Sequence, residues 1–305
     1  MYNEERKMQY LQEKQSTSKL STNTKNIFDL AEQREELYRK DLCEWDSSQI
    51  IEFYKYYSTP NFTSLIVINT ALREYTTWCM LNGMVEDNQN HYGEIGTEAI
   101  CQCIDLDKLR RLVFTREQLL EEIRHLPNFI EQFIFIALFE GVPMAGGVIC
   151  DVKMSDLNGN ILTLSNGDKL EVSKDLIHLM ELANDEEDYI AFSKTGKEKV
   201  FKLVPGDTII RPIDTKRARM DNTTYIIGAK IRRSAQYLGM EENLTVKNIA
   251  ESGRLDYIKR IADKYNVSYE DATKETKYRK MHEERYGHLQ NAMAYWLTYG
   301  QIISG

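Results

Sequence analysis

Apolar positions take up a clear helical rhythm in FTSLIVINTALREYTTWCMLNG, where Leu65, Ile68, Leu72, Tyr75, Trp78 and Cys79 fall on one face. Asn82-Gly83 supplies the C-terminal stop. Just upstream, DSSQIIEFYKYYS sets polar capping residues from Asp46 before apolar positions at helical spacing, which predicts a shorter helix. Downstream, DLDKLRRL from Asp105 to Leu112 is helical in pattern. Before all of these, the polar tract QSTSKLSTNTKN precedes IFDLAEQREELYRKDL, so residues 1–45 are expected to be a frayed terminus followed by one amphipathic helix. A small helical domain over 46–112 follows from this spacing.

A second unit begins at Thr115, where TREQ has the form of a capping box and predicts a helix through Ile123. Pro127 suits the first turn of the next helix, and FIEQFIFIALFEG is apolar on nearly every side, which places that helix at the centre of a core. Gly141 and Pro143 end it. Past Gly146-Gly147 the period changes to two. Ile161, Leu162 and Leu164, the turn Ser165-Asn166-Gly167-Asp168, then Leu170 and Val172 predict a β-hairpin. SKDLIHLMELANDE restarts a helix, Asn222 to Leu238 is helical again, and the remainder is helix with loops. The expected fold class is mainly α with a small β-sheet, in two domains over 46–112 and 113–305 joined near residues 111–115.

Length agrees with that division, since 305 residues suffice for two cores. The chain is 42% hydrophobic, yet no window reaches the eighteen or so apolar residues of a membrane span. MYNEERKMQY is too charged for a secretory signal, so a cytoplasmic protein is expected. Cys43, Cys79, Cys101, Cys103 and Cys150 form no Cys-x-x-Cys pair, and His91, His125, His178, His282 and His288 are scattered. Metal, nucleotide and other cofactor chemistry is therefore not expected. Net charge is −8, which argues against phosphate binding until its distribution is considered. Arg211, Lys216, Arg217, Arg219, Lys230, Arg232 and Arg233 stand close together against only Asp214 and Asp221. This window is the basic part of an acidic chain.

Three stretches resemble the tyrosine recombinase (phage integrase) family over roughly residues 45–290. The helix carrying Tyr75, Trp78 and Gly83 is similar to the long helix of that family's core-binding domain. FIFIALFEGVPMAGGVICDVKMSDL with ILTLSNGDKLEVS is similar to its apolar helix, catalytic-arginine turn and hairpin. YLGMEENLTVKNIAESGRLDYIKRIA is similar to the region of its His-x-x-Arg motif. The resemblance implies a tyrosine-recombinase-like two-domain fold that closes around duplex DNA.

The catalytic positions depart from the family pattern. Glu140-Gly141-Val142-Pro143 puts Pro143 where the first catalytic arginine belongs, and Leu244 to Ala250 puts Lys247 for the histidine and Ala250 for the second arginine. Losing one preorganised donor to a transition-state charge costs on the order of 3–4 kcal/mol, so cleavage is not expected. Lys169 stands near the position of the family's general-acid lysine. Gly287-His288 resembles the motif ahead of the nucleophile, but Tyr286, Tyr295 and Tyr299 all fit its spacing poorly.

The first functional expectation is a DNA-binding protein on a disarmed scaffold, similar to the integrase-like repressors that hold SPbeta-like prophages dormant. Its partners would be double-stranded operator DNA, with self-association or a phage anti-repressor in addition, and no membrane. The candidate phosphate contacts are Lys169, Lys216, Arg217, Arg219, Lys230, Arg232, Arg233, Lys247 and Arg254. The alternatives are a divergent active recombinase using Lys169, Lys247 and Arg254, and a protein-interaction module that does not bind DNA.

Overall fold

The computed structural model describes residues 1–17, 22–85, 89–192, 198–214 and 224–303. In chain order the helices of the N-terminal part are α1 (Glu4–Thr17), α2 (Thr22–Tyr38), α3 (Ser47–Tyr57), α4 (Phe62–Leu81), α5 (Thr97–Cys101) and α6 (Leu106–Leu112). Then follow α7 (Arg116–Ile123), α8 (Phe129–Phe139), strands β1 (Leu157–Asn158), β2 (Ile161–Thr163) and β3 (Lys169–Glu171), α9 (Lys174–Asp185), β4 (Asp188–Phe192) and β5 (Glu198–Lys202). The chain finishes with α10 (Thr224–Tyr237), α11 (Val246–Tyr265), α12 (Tyr269–Lys274), α13 (Thr276–Tyr286) and α14 (Ala292–Ile303). The fold is mainly α, as the periodicity predicts.

Two compact units emerge, one of residues 1–109 with 293–303 and one of 110–292. The sequence reading places the whole of 113–305 in the second domain, whereas α14 groups with the first. Its Leu297 carbonyl accepts from the Cys101 thiol at 3.2 Å, and Ala294, Leu297 and Ile302 pack on the first core. No local signal marks a helix for a core two hundred residues upstream.

The first unit is built around α4, whose Leu65, Ile68, Leu72, Tyr75 and Cys79 are buried as the heptad-like spacing requires. Asp46 caps α3 through the amides of Ser48 and Gln49, completing a capping box with Gln49. Helices α1 and α2 replace the expected frayed terminus, while residues 18–21 of the polar tract lie outside the described residues. Tyr10 and Leu11 of α1 and Ile27, Phe28 and Ala31 of α2 are buried, and Tyr10, Phe28, Tyr75 and Trp78 form one aromatic cluster with centroids 4.9–6.3 Å apart. A fully buried Lys7–Glu35 ion pair ties α1 to α2, and Glu35 also accepts from the Leu42 amide at 2.9 Å. The polar character of this segment misleads because Lys7 and Glu35 are paired inside while the other charges of α1 and α2 surround a buried apolar face.

The second unit is organised by α8. Every residue from Ile130 to Phe139 is buried. Pro127 lies two residues before the first helical residue, since Asn128 occupies the N-cap, and the Glu186 carboxylate accepts from the Phe129 and Ile130 amides at 3.0 and 3.2 Å. Burial pushes Glu186 up to about 7. The helix ends in a Schellman arrangement: the Val142 amide donates to the Ala137 carbonyl at 2.8 Å and the Gly141 amide to Leu138 at 3.1 Å, with Gly141 at φ 86°. A Cβ on Gly141 would stand 2.8 Å from the Arg285 carbonyl oxygen. Gly253 of α11 admits the closest crossing, because a Cβ there would lie 1.7 Å from the Phe139 carbonyl oxygen.

The expected hairpin is β2–β3, with Leu162 opposite Leu170, and β1 extends it to three antiparallel strands. A second sheet, β4 paired with β5 from Asp188↔Lys202 to Phe192↔Glu198, was not foreseen. EKVFK leaves Val200 exposed, so the strand has no single buried face to announce it.

Replacing Lys7 by Met leaves the buried Glu35 carboxylate without its cation, at an expected cost of about 3–5 kcal/mol at neutral pH. Burial raises Glu35 from 4.5 to about 7 in the folded chain. A raised folded-state value favours folding below pH 4.5 and loses that contribution as pH climbs through 7, so the deficit of the variant shrinks on acidification. Urea denaturation of both proteins at pH 5 and pH 8 checks this; an equal deficit at the two values counts against it.

Candidate functional site

The turn after α8, the first turn of α11, the β2–β3 hairpin and the end of α13 surround a half-open cavity of about 400 Å³ within the second unit. Its wall contains Val142, Pro143, Leu164, Leu170, Val246 and Ala250, with Asp168, Glu284, Arg285 and Tyr286 among the polar lining. Two of the positions that depart from the recombinase pattern, Pro143 and Ala250, therefore meet in space. The third does not join them. Lys247 is exposed at the second residue of α11, while Val246 and Ala250, four apart, present the face that lines the cavity.

Lys169 departs from its expected place for a similar reason. It lies exposed on β3 opposite Thr163, and its neighbours Asp168 and Leu170 line the cavity instead, because successive strand residues face opposite ways. Arg285 is the cation of the lining, but its guanidinium is only 7% exposed. Its Nε donates to the Glu140 carbonyl at 2.7 Å, one terminal nitrogen donates to the Glu171 carbonyl at 3.0 Å, and the Glu140 carboxylate lies 3.6 Å away.

Glu140 itself is the buried anchor of this region. It pairs with Arg116 at 2.6 Å and accepts from the Ser173 amide at 3.0 Å and from the Ser173 hydroxyl. Arg116 also lies 5.2 Å over the Phe139 ring, near Asp175 and Asp256. The sequence reading missed this network. A lone carboxylate ending an apolar helix was the available signal, but its partners stand 24 and 145 residues away.

The tyrosine candidates are also resolved by their contacts. The Tyr286 hydroxyl donates to the Phe139 carbonyl at 2.7 Å, and burial raises its pKa. Tyr295 and Tyr299 belong to the terminal helix that groups with the first unit, their rings 4.7 Å apart.

Two proposed phosphate contacts are removed by burial. Arg254 is 5% exposed and donates to the Tyr286 and Gly287 carbonyls at 2.7 and 3.1 Å, serving the C-terminus of α13. Lys230 is 12% exposed, 2.7 Å from the buried Glu131 carboxylate and 4.1 Å from the centre of the Tyr189 ring, whose hydroxyl also donates to Glu131 at 2.7 Å. Arg211 likewise donates to the Ala183 carbonyl at 2.9 Å and to that of Glu186 at the end of α9. Arg232 and Arg233 remain exposed on α10, without an ion pair among the described residues. Lys216, Arg217 and Arg219 lie outside the described residues. His282 is buried, and burial with the nearby Arg254 pushes it down to about 4. Among the described residues no group of His, Cys, Asp and Glu is placed to hold a metal ion, and no helix is long and apolar enough to cross a membrane.

A helical unit and a larger helical unit with a three-stranded sheet and a turn–helix–hairpin cavity have the arrangement expected from the resemblance noted in the sequence. Residues 1–81 match the family model "MrpR, N-terminal core-binding domain" and residues 113–295 match "MrpR, C-terminal catalytic domain"; the chain belongs to the MrpR family. It is 30% identical over 232 residues to the SPbeta prophage-derived uncharacterized protein YopR of Bacillus subtilis (strain 168), spanning 71% of this chain and 68% of that protein. Among solved structures, a lambda integrase(75-356) dimer bound to a COC' core site is 14% identical, with a TM-score of 0.35 over 95% of this chain and 93% of the other. XerA recombinase is 15% identical, with a TM-score of 0.37 over 98% and 97%.

Truncating Lys230 to alanine is expected to destabilise the fold by about 3–5 kcal/mol, since Glu131 is left buried without its cation, whereas Arg233→Ala on the same helix should cost under about 0.5 kcal/mol. Urea titrations of the two variants measure the difference; equal midpoints would contradict the assignment of Lys230 to the interior.

Proposed function

We propose that this protein is a sequence-specific DNA-binding repressor of a temperate phage, working on a recombinase scaffold that binds duplex DNA without cutting it. The observation that carries this reading is the apolar cavity: Pro143, Val246 and Ala250 occupy the wall where a phosphate clamp would need donors, and Arg285 is engaged by Glu140 and Glu171. An active site for phosphoryl transfer needs preorganised cations at the developing charge. The same observation disfavours a divergent recombinase using Lys169, Lys247 and Arg254, because the first two are exposed away from the cavity and the third is buried in a helix cap.

Binding does not need that clamp. Arg232 and Arg233 on α10, Lys169 on β3 and Lys247 are exposed cations in the same unit. Lys247 is notable because a cation in a helix's first turn opposes the backbone dipole, and an anion bound there would offset both. Lys216, Arg217 and Arg219 complete the proposed contacts on grounds of sequence. The prophage origin of the YopR relative supports a role in maintaining lysogeny.

Footprinting on DNA of the cognate prophage is expected to show discrete protected sites, and suicide substrates should yield no covalent tyrosine–DNA adduct. The Arg232→Ala/Arg233→Ala/Lys247→Ala variant should stay folded, bind more weakly and show a log–log salt slope reduced by about 0.9 for each phosphate that it no longer neutralises. Undiminished affinity and slope in the folded variant would move the interface elsewhere. A recovered adduct would overturn the non-catalytic reading.

A further inference from the structure

We infer that the cavity beside Pro143 is a binding site for a small amphiphilic cation, an apolar body carrying one ammonium or guanidinium group. This goes beyond the DNA-binding reading and does not depend on it. At about 400 Å³ the cavity is within the usual range of small-ligand sites, roughly 300–1,000 Å³, which combine mostly apolar walls with a few polar groups that fix orientation. Val142, Pro143, Leu164, Leu170, Val246 and Ala250 provide the apolar walls.

The sign of the charge follows from what the polar lining can still accept. Arg285 is a weak anchor for an anion, since its side chain is buried, the Glu140 carboxylate lies 3.6 Å away, and the Glu140 and Glu171 carbonyls accept from its Nε and one terminal nitrogen. Asp168 and Glu284 are exposed carboxylates with no cationic partner among the described residues; the Asp168 side chain accepts only from Asn166, at 2.7 Å. An anion entering here would meet two negative charges, whereas a cation would meet complementary charge at the edge of a low-dielectric wall. Tyr286 adds an aromatic surface, although its hydroxyl is committed to Phe139. Replacing recombinase-type cations with Pro143 and Ala250 thus leaves a pocket of opposite electrostatic preference.

The test uses the full chain with 13C-labelled Ala, Leu and Val methyl groups, titrated with 2-phenylethylamine and, separately, with 3-phenylpropionate. Saturable shifts at Val142, Leu164, Leu170, Val246 and Ala250 are expected with the amine, which should bind at least about tenfold more tightly than the carboxylate, equivalent to ~1.4 kcal/mol. Asp168→Asn/Glu284→Gln changes only exposed side chains and should abolish that preference. Ala250→Phe, checked for folding by circular dichroism, should fill the cavity and remove the shifts. The proposal fails if these methyls do not move, if amine and carboxylate move them equally, or if the charge-neutralised variant keeps the wild-type preference.

Discussion

The second unit depends on burying α8 whole. A helix whose residues from Ile130 to Phe139 are all inside the protein cannot leave its terminal amides and carbonyls to water, and an unmet buried group costs about 1–3 kcal/mol. Its N-terminus is met by the Glu186 carboxylate from the end of α9. At the other end the Tyr286 hydroxyl takes the Phe139 carbonyl and Arg285 takes that of Glu140. Gly253 permits α11 to cross against the same carbonyl. Two segments distant in sequence, α11 and α13, are thereby held at the C-terminal end of α8, and both contribute to the cavity wall.

This requirement consumes charge. Arg285, Arg254 and Arg211 each serve helix-terminal carbonyls, and Arg116 and Lys230 neutralise the buried Glu140 and Glu131. A count of basic residues overstates the surface available to phosphate for that reason. Of the candidate cations, those exposed among the described residues, Arg232, Arg233, Lys169 and Lys247, come from α10, the hairpin and the start of α11 rather than from one run of sequence.

The character of the cavity follows from the same geometry. A proline after a Schellman-capped helix is locally comfortable, since the preceding Gly141 has already turned the chain, but Pro143 offers no donor to the space it faces. Ala250 adds none. Turn, helix and hairpin thus enclose a cavity bounded by aliphatic groups, with Asp168, Glu284 and Arg285 in its polar lining.

Local rules were legible in the sequence by itself. The capping boxes at Asp46 and Thr115, the buried face of α4, the all-apolar α8 with its stop at Gly141 and the hairpin around Asn166-Gly167 depend on residues within a few positions of one another. The order of helices and hairpin along the second unit was legible too. Only the tertiary structure could decide that α1 is core, that α14 returns to the first unit, and that Lys230 and Arg254 are interior while Arg232 and Arg233 are not. A charged side chain has no fixed destination in sequence. Whether it meets a phosphate, a buried carboxylate or a helix end is set by which distant groups the packing leaves without a partner.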